Sequence, residues 1–194
     1  MRDQFVLTLG PKLIEYFYRP EDHGEIEFVA YDRPTVFKSL EQGDFDLVIA
    51  VDPPSTPGLR NRKLYQESFV CFTPRKKAPS LAEYLKLPQI STTAHAGYSG
   101  IDTYLTSKNL KRNIVARVPY FVAALHVARE ARLTLTLPKR LGEHTKIPGF
   151  YAHPLPIEIP GFSVQLIWDE RFQNDETNIW LRQIVIKAAD SRPA

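Results

Sequence analysis

Hydrophobic and polar positions in the first quarter of the chain alternate between β-rich runs and stretches at helical spacing. Three apolar runs, Phe5–Leu9, Ile26–Tyr31 and Phe45–Val51, predict strands. Gly10 and Pro11 end the first run, and Pro11 suits the first position of a helix because a proline there loses no hydrogen bond. This order predicts β-α-β-α-β, with parallel strands and right-handed crossovers.

The second helix of this series has recognisable ends. Its apolar residues fall on one face of the segment 34–42, Asp32 is placed to cap its start, and Gly43 suits the position after its last turn. The proline-rich segment 52–58 that follows the third strand is predicted to be a loop, because proline cannot donate to a sheet.

From Leu59 to Thr73 the pattern is extended without a helix, which suits a crossing between two lobes. Ser80 then predicts a helix start, with Glu83 at the reciprocal position of a capping box. A second α/β series follows, with expected strands at 88–92, 114–118, 133–137, 150–153 and 162–168 and expected helices at 81–87, 101–107, 121–129 and 139–143. Asn174 or Asp175 is expected to cap a final helix.

The chain is an α/β protein large enough for one full domain or two small lobes, with 194 residues of which 43% are hydrophobic. Its net charge of +3 does not by itself indicate nucleic-acid binding. The short basic runs 60–63, 75–77 and 108–112 are interpreted as solvated loops. A single cysteine, no secretory leader pattern and no long apolar stretch favour a cytoplasmic location.

Catalytic and metal-binding patterns are weak. His126 and Glu130 lie one helical turn apart, but a surface pair is favoured over a metal site or proton relay because no third ligand is near in sequence. Cys71 lies among aromatic residues and is expected to be an inert buried thiol. The sequence therefore predicts neither an enzyme nor a bound cofactor or metal.

Several segments, in order, resemble the effector-binding domain of LysR-type transcriptional regulators. They are Phe37-Lys38-Ser39-Leu40-Glu41-Gln42-Gly43-Asp44-Phe45-Asp46-Leu47-Val48-Ile49, Leu64-Tyr65-Gln66-Glu67-Ser68-Phe69-Val70-Cys71, Arg117-Val118-Pro119-Tyr120-Phe121, Leu135-Thr136-Leu137-Pro138-Lys139-Arg140-Leu141, and Leu166-Ile167-Trp168-Asp169-Glu170-Arg171 with Trp180-Leu181-Arg182. The combination is more specific than any one segment and covers nearly the whole chain.

The resemblance implies two Rossmann-like lobes joined by two crossover strands, as in type 2 periplasmic binding proteins, with a small-molecule effector between them. Lobe one would comprise residues 1–72 and 165–194, and lobe two residues 73–164. The family's N-terminal winged helix-turn-helix is not in this sequence, so DNA would be bound only through that missing domain. A homodimer or homotetramer is implied for the full-length protein, although the short region 11–25 puts the dimer geometry in doubt.

Candidate effector contacts follow from the expected carboxyl ends of strands, where helix N-termini favour an anion, most simply a carboxylate. The resemblance places Thr8, Gly10, Thr35, Thr92 and Phe121 at contact positions, and the strand-end argument adds Ser99 and Pro119. Tyr120 and Phe121 would offer an aromatic wall for a ring. Thr8 and Thr35 equally suit strand-end and capping roles, and Phe121 a core position.

Two other functions remain open on this scaffold. A free-standing solute-binding protein is disfavoured by the missing leader pattern and by the regulator-like motifs. An enzyme cannot be excluded by fold alone, but no positioned acid and base are evident in the sequence.

Overall fold

The computed structural model describes residues 3–18, 24–31, 35–92 and 100–191. These residues form two compact units. Unit 1 comprises residues 1–66 and 162–194, and unit 2 comprises residues 67–161. The boundaries lie a few residues before those expected from the sequence because Phe69–Thr73 is a strand of the unit 2 sheet, whereas Phe162–Val164 belongs to a strand of unit 1.

Unit 1 is an α/β layer built from both ends of the chain. Its helices are α1 (Asp3–Phe17), α2 (Val36–Gln42) and α7 (Glu176–Asp190), and its strands are β1 (Val48–Val51), β2 (Leu59–Glu67, which runs into the boundary) and β8 (Phe162–Asp169). The strands form a sheet in the order β1-β8-β2, and β1 pairs with β8 antiparallel. A short 3-10 turn, Glu170–Phe172, precedes α7, which Asp175 caps through the N–H of Asn178.

The strand predicted over Phe5–Leu9 is wrong, because this run lies inside α1. Phe5, Leu9 and Leu13 recur every four residues and are all buried, so the helical period prevails over the break expected at Gly10 and Pro11. Pro11 lies inside the helix rather than at its start.

The strand predicted over Ile26–Tyr31 is also not formed. A strand requires a partner, and the sheet of unit 1 contains β1, β8 and β2 only among the described residues. The predicted parallel β-α-β-α-β series is therefore replaced by two helices and one strand, which pairs antiparallel with β8. The expected cap of α2, Asp32, lies outside the described residues.

Other end signals of unit 1 are confirmed. Gly43 follows α2 in the left-handed conformation, with φ of 83°, and its N–H is directed at the carbonyls of Leu40 and Ser39. Val36 and Leu40 of α2 pack with Val48, Ala50 and Ile167, so alternate residues of β1 face this helix.

Unit 2 is a mixed sheet with helices. Its strands are β3 (Phe69–Thr73), β4 (Gln89–Thr92), β5 (Ile114–Val118), β6 (Thr134–Pro138) and β7 (Tyr151–Pro154), and its helices are α3 (Leu81–Lys86), α4 (Gly100–Ser107), α5 (Phe121–Ala131) and α6 (Lys139–His144). The sheet order is β5-β4-β6-β3-β7. β4 is parallel to both β5 and β6, whereas β3 is antiparallel to both β6 and β7.

The elements of unit 2 lie close to their predicted positions. The capping box is confirmed: the Ser80 hydroxyl accepts from the N–H of Glu83, and the Glu83 carboxylate accepts from the N–H of Ser80. All five residues of β6 are buried, including Thr134 and Thr136, so this strand is covered on both faces. The parallel core β5-β4-β6 therefore directs the carboxyl ends of its strands to one edge.

Candidate functional site

The carboxyl ends of β4 and β5 bring two candidate residues of unit 2 together. Thr92, the last residue of β4, is paired in register with Val118, the last residue of β5, and Pro119 follows directly. Thr92 is partly exposed and Pro119 is exposed. Parallel α/β sheets place ligands beyond such strand ends, so the geometry agrees with the reason for which the sequence singled out these residues.

Helix α5 begins at the same edge, one residue after Tyr120. Tyr120 is the N-cap, and its side chain makes no capping hydrogen bond to the first turn. The positive end of an 11-residue helix therefore lies beside Thr92 and Pro119, where it favours a negatively charged group.

The two aromatic residues at this helix start have different roles. The Phe121 side chain is 1% exposed and belongs to the core of unit 2. Its expected role as an aromatic wall is therefore not supported. Its main chain forms the first residue of α5, at the N-terminal end of the helix. Tyr120 is 55% exposed, so its aromatic side chain is available to a ligand at this edge.

Ser99 and the rest of the segment 93–99 lie outside the described residues. This segment joins Thr92 to Gly100, the first residue of α4. The contribution expected from the Ser99 hydroxyl therefore stays a prediction.

The candidate residues in α1 of unit 1 occupy different positions from those expected. Thr8 was placed at a strand end, but it lies in a helix and its hydroxyl donates to the carbonyl of Gln4 at 2.9 Å. Gly10 is buried in the same helix, against Val6 and Phe28. The strand-end argument for both residues is wrong, and effector contact by either rests on the resemblance alone.

Thr35 lies directly before α2 and is exposed. It occupies the N-cap position but makes no side-chain capping hydrogen bond to that helix. Its role in effector binding stays a prediction.

A buried arginine beneath α4 was missed from the sequence. Arg112 is 5% exposed, although the run 108–112 was interpreted as a solvated loop. Its guanidinium donates to Oδ1 of Asp102 at 2.9 and 2.7 Å and to the Thr136 hydroxyl at 3.0 Å. The same nitrogen that reaches Thr136 also lies 3.4 Å from Oε1 of Gln89. These bonds tie α4 to β4 and β6.

Burial perturbs the titration of the groups near this network. Desolvation raises the pKa of the Cys71 thiol to about 12, against a smaller opposing effect of the Arg112 charge. Burial also raises the pKa of the Tyr84 hydroxyl, which lies 2.7 Å from that of Thr136. Cys71 therefore stays a protonated thiol at neutral pH, as expected for an inert core cysteine.

At the unit boundary, desolvation likewise raises the pKa of Glu67. Hydrogen bonds from the main-chain N–H groups of Ser68 and Arg140 oppose this rise. This carboxylate binds the start of α6 rather than lying in a catalytic pair.

The remaining titratable groups in the described part of the chain do not form a metal-binding cluster. No group of three or more His, Cys, Asp or Glu residues there is arranged to hold a metal ion. Glu130 pairs with Arg129 at 2.6 Å on the surface of α5, and His126 is exposed on the same helix, which agrees with the surface interpretation.

A family model described as the LysR substrate binding domain matches residues 3–190. The chain belongs to this family. This LysR domain is 29% identical over 193 residues to the HTH-type transcriptional activator NahR of Pseudomonas putida. The match covers 95% of this chain and 64% of NahR. The chain thus spans less than two thirds of that relative, which is a regulator and not an enzyme.

Solved structures share the fold of this LysR domain. The regulatory domain of MexT, a transcriptional activator in Pseudomonas aeruginosa, superposes with a TM-score of 0.77 at 18% identity, covering 96% of each chain. The BenM effector binding domain with its effector benzoate superposes with a TM-score of 0.73 at 12% identity, covering 96% of this chain and 87% of that one. The predicted α/β fold of the type 2 periplasmic-binding-protein kind is therefore confirmed.

None of the helices in the described ranges combines the length and apolar character that crossing a bilayer requires.

Proposed function

We propose that this chain is the effector-binding domain of a LysR-type, DNA-binding transcriptional regulator and that its effector is a small aromatic carboxylate. The observation that supports the carboxylate is the N-terminus of the 11-residue helix α5, which lies next to Thr92 at the carboxyl ends of β4 and β5. Helix-end N–H groups and the Thr92 hydroxyl would donate to the carboxylate oxygens.

The exposed Tyr120 ring supports an aromatic effector. A ring at 55% exposure next to a helix N-terminus can cover a planar ligand while the helix end binds its acidic group. The BenM domain, which has the same fold, binds benzoate. Benzoate is therefore the first probe to use.

The regulatory part of the proposal concerns the longer protein. NahR, which this chain matches over 64% of its length, is an HTH-type activator, so DNA would be bound by a domain outside this sequence. The effector acts on transcription only if it has different affinities for two arrangements of the regulator, since equal affinity shifts no equilibrium. The whole regulator is expected to form a homodimer or homotetramer, which light scattering of the full-length protein would measure.

A solute-binding protein and an enzyme are the alternative functions. The match to the LysR family and the regulators among its relatives favour a sensor over both. The expected position of the effector between two lobes stays a prediction from the sequence.

The test of the carboxylate is a titration of the domain with benzoate and with benzamide, followed by isothermal calorimetry and thermal unfolding. Benzoate should bind and raise the melting temperature, whereas benzamide, which has a similar shape and no charge, should bind much more weakly. Failure of benzoate and of a panel of other carboxylates, together with a clear response to a sugar or a cation, would contradict the anion site.

Substitution of Thr92 by valine tests the site directly. Thr92→Val keeps the shape of the side chain and removes its hydroxyl, so the affinity for benzoate should fall roughly tenfold to a hundredfold, as for the loss of a hydrogen bond to a charged group. The matched control is Val127→Ala, an exposed change in the second turn of α5 that should leave the affinity unchanged. Equal affinity of the Thr92→Val protein would remove Thr92 from the site.

A further inference from the structure

An open groove in unit 2 lies between α4 and β5, the strand at one end of the sheet order β5-β4-β6-β3-β7. Its volume of about 680 Å³ is within the range of roughly 300 to 1,000 Å³ that is usual for small-molecule sites. Leu105 and Leu110 line it with apolar atoms, and Val115 of β5 is 53% exposed beside them. The groove therefore has room and apolar surface for part of a small molecule.

This groove is on the opposite face of the sheet from α5. The connection from β4 through α4 to β5 and the connection from β5 through α5 to β6 run in opposite directions, because β4 lies between β5 and β6. Both connections join parallel strands and are expected to be right-handed, so α4 and α5 cover opposite faces. The groove is therefore separate from the helix start at which we place the effector.

Positive charge exceeds negative charge along the groove. Its lining contains three basic side chains, Lys111, Arg112 and Arg117, and one acidic side chain, Asp102. Lys111 is exposed and the Arg117 side chain is 57% exposed, whereas the Arg112 side chain is 3% exposed. Three positive charges and one negative charge give these lining residues a net charge of +2.

Asp102 is the shared counter-ion of two of these cations. Its Oδ1 accepts hydrogen bonds from Nε and Nη2 of Arg112 at 2.9 and 2.7 Å, and its Oδ2 lies 3.8 Å from Nη1 of Arg117. The distances to Arg112 are those of charge-assisted hydrogen bonds, but the distance to Arg117 is too long for one. The exposed guanidinium of Arg117 is therefore only loosely paired and is open to an anion from solution.

The charged and apolar parts of the groove lie next to each other. Val115 and Arg117 are two positions apart in β5, so their side chains are on the same face of the sheet. Thr106 and Asn109 line the groove from the side of α4 and contribute a hydroxyl and an amide. An acidic group beside Arg117 would thus have neutral donors near it and apolar surface along β5.

We propose that this groove binds a small molecule that carries a phosphate group and a short apolar part. The phosphate lies beside Lys111 and Arg117, and its two negative charges balance the net charge of the groove. A guanidinium presents parallel N–H donors to two phosphate oxygens at once, which favours phosphate over a compact ion such as chloride. The apolar part lies on Val115 and Leu110.

The proposed ligand differs in class from the effector. A carboxylate has one negative charge and would leave one positive charge of the groove without a partner, whereas a phosphate monoester is close to a dianion at neutral pH. The inference is independent of the effector site, because it uses different residues on a different face of unit 2.

The test uses phenyl phosphate, titrated into the domain and followed by calorimetry and thermal unfolding. We expect one molecule to bind per chain and to raise the melting temperature. Benzenesulfonate has the same ring and three terminal oxygens but a single negative charge, so it should bind at least about fivefold more weakly.

Substitution of Arg117 separates this site from the effector site. Arg117→Gln should weaken phenyl phosphate binding roughly tenfold, as for the loss of a charge-assisted hydrogen bond, and should leave the affinity for benzoate unchanged. Thr92→Val should show the reverse pattern. The matched control is Lys108→Gln, which removes the same charge nearby, although Lys108 does not line the groove and its Nζ lies over the Tyr104 ring at 5.8 Å.

Removal of the acidic side chain from the groove should have the opposite effect. Asp102→Asn takes away the carboxylate that competes with the phosphate for Arg112 and Arg117, so phenyl phosphate should bind roughly fivefold more tightly. It should also raise the melting temperature of this variant more than that of the unchanged domain. The comparison of Arg117→Gln with Lys108→Gln alters exposed residues only and does not depend on how stable the Asp102 variant is.

Four results would overturn the proposal. One is the absence of phenyl phosphate binding up to about 20 mM, a concentration at which even a millimolar site would be filled. Another is an equal loss in Arg117→Gln and Lys108→Gln, which would indicate attraction to the overall charge. The third is equal affinity for benzenesulfonate. The last is tighter binding of a random-sequence DNA duplex that Arg117→Gln abolishes, which would indicate a nucleic-acid surface.

Discussion

Arg112 brings a full positive charge into the interior of unit 2. Its side chain is 3% exposed, and its counter-ion Asp102 is 33% exposed. A buried charge is tolerated only when it is paired and its donors are satisfied, and Arg112 meets that condition through Asp102, Thr136 and Gln89.

Loss of Asp102 should therefore destabilise the domain more than loss of Arg112. Asp102→Asn leaves the arginine charge buried without its counter-ion and should lower the free energy of unfolding by about 3 to 5 kcal/mol. Arg112→Met leaves an aspartate that water can reach, so the loss should be smaller, about 2 kcal/mol. Urea unfolding followed by circular dichroism measures both values.

The double variant Arg112→Met with Asp102→Asn provides the control. If the two side chains act as a pair, the double variant loses less stability than the two single changes added together, by more than about 1 kcal/mol. If the losses of the two single variants add up to that of the double variant, the contact between Arg112 and Asp102 has no coupling free energy.

Residues with a local partner were predicted well from the sequence, and residues with a distant partner were not. Ser80 and Glu83 are three positions apart, and their capping box follows from that spacing. Arg112 contacts Thr136, 24 positions away, and no nearby pattern distinguishes it from the solvated basic residues beside it. Phe121 illustrates the same limit, because strand-end position alone did not reveal that its side chain turns into the core.

At the scale of elements, α1 combines a buried apolar face with an interior proline. Pro11 has no N–H to donate to the preceding turn, and its ring disfavours the helical conformation of the residue before it. Gly10 occupies that preceding position, and its lack of a Cβ relieves the clash. The helix therefore persists through a sequence that ordinarily ends one.

Pro11→Ala should raise the free energy of unfolding by roughly 2 kcal/mol. Alanine is about 3 kcal/mol more favourable than proline inside a helix. The greater conformational freedom that alanine gives the unfolded chain offsets up to about 1 kcal/mol of this gain. Pro11 is exposed, so alanine leaves no cavity. Chemical denaturation measures the difference.

Lys12→Ala is the neighbouring control for this helix. Lys12 forms an exposed ion pair with Glu15 at 2.7 Å, and such pairs contribute little, so a change within about 0.5 kcal/mol is expected. A loss of stability on Pro11→Ala would show that the region around Pro11 is not helical in solution.

Element prediction succeeded wherever the period of the apolar residues was unambiguous. β6 and β8 follow from segments in which apolar residues stand at alternate positions, as is typical of a strand. Phe5–Leu9 was ambiguous because a five-residue apolar run suits either state, and the burial of Leu13 four positions beyond Leu9 decided for a helix. Ile26–Tyr31 has strand propensity, but a strand also needs a neighbour, which no local pattern supplies.

At the scale of the whole molecule, the α/β class and the LysR family follow from the sequence, whereas the antiparallel pairing in the sheet of unit 1 does not. The family motifs cover both ends of the chain, and the matched family model covers residues 3–190. The antiparallel pairing of β1 with β8 joins residues more than 110 positions apart, and pairing over such distances leaves no periodic signal.

The two units also differ in how the chain supplies them. Unit 2 is one continuous stretch, residues 67–161, whereas unit 1 needs residues 162–194 as well. β8, which contributes the middle strand of the unit 1 sheet, is the last strand in the sequence.

This arrangement dictates an order of events during synthesis on the ribosome. Unit 2 can acquire its structure as soon as residue 161 has left the exit tunnel, while the first 66 residues must wait, with their apolar helices unsheltered, until the middle strand arrives. A chain truncated after residue 161 and released from the ribosome should resist protease over 67–161 and be cut within 1–66, whereas the full 194-residue chain should resist cleavage in both units. We therefore expect unit 2 to fold before unit 1, and residues 1–66 to be the part of the chain that depends most on chaperones.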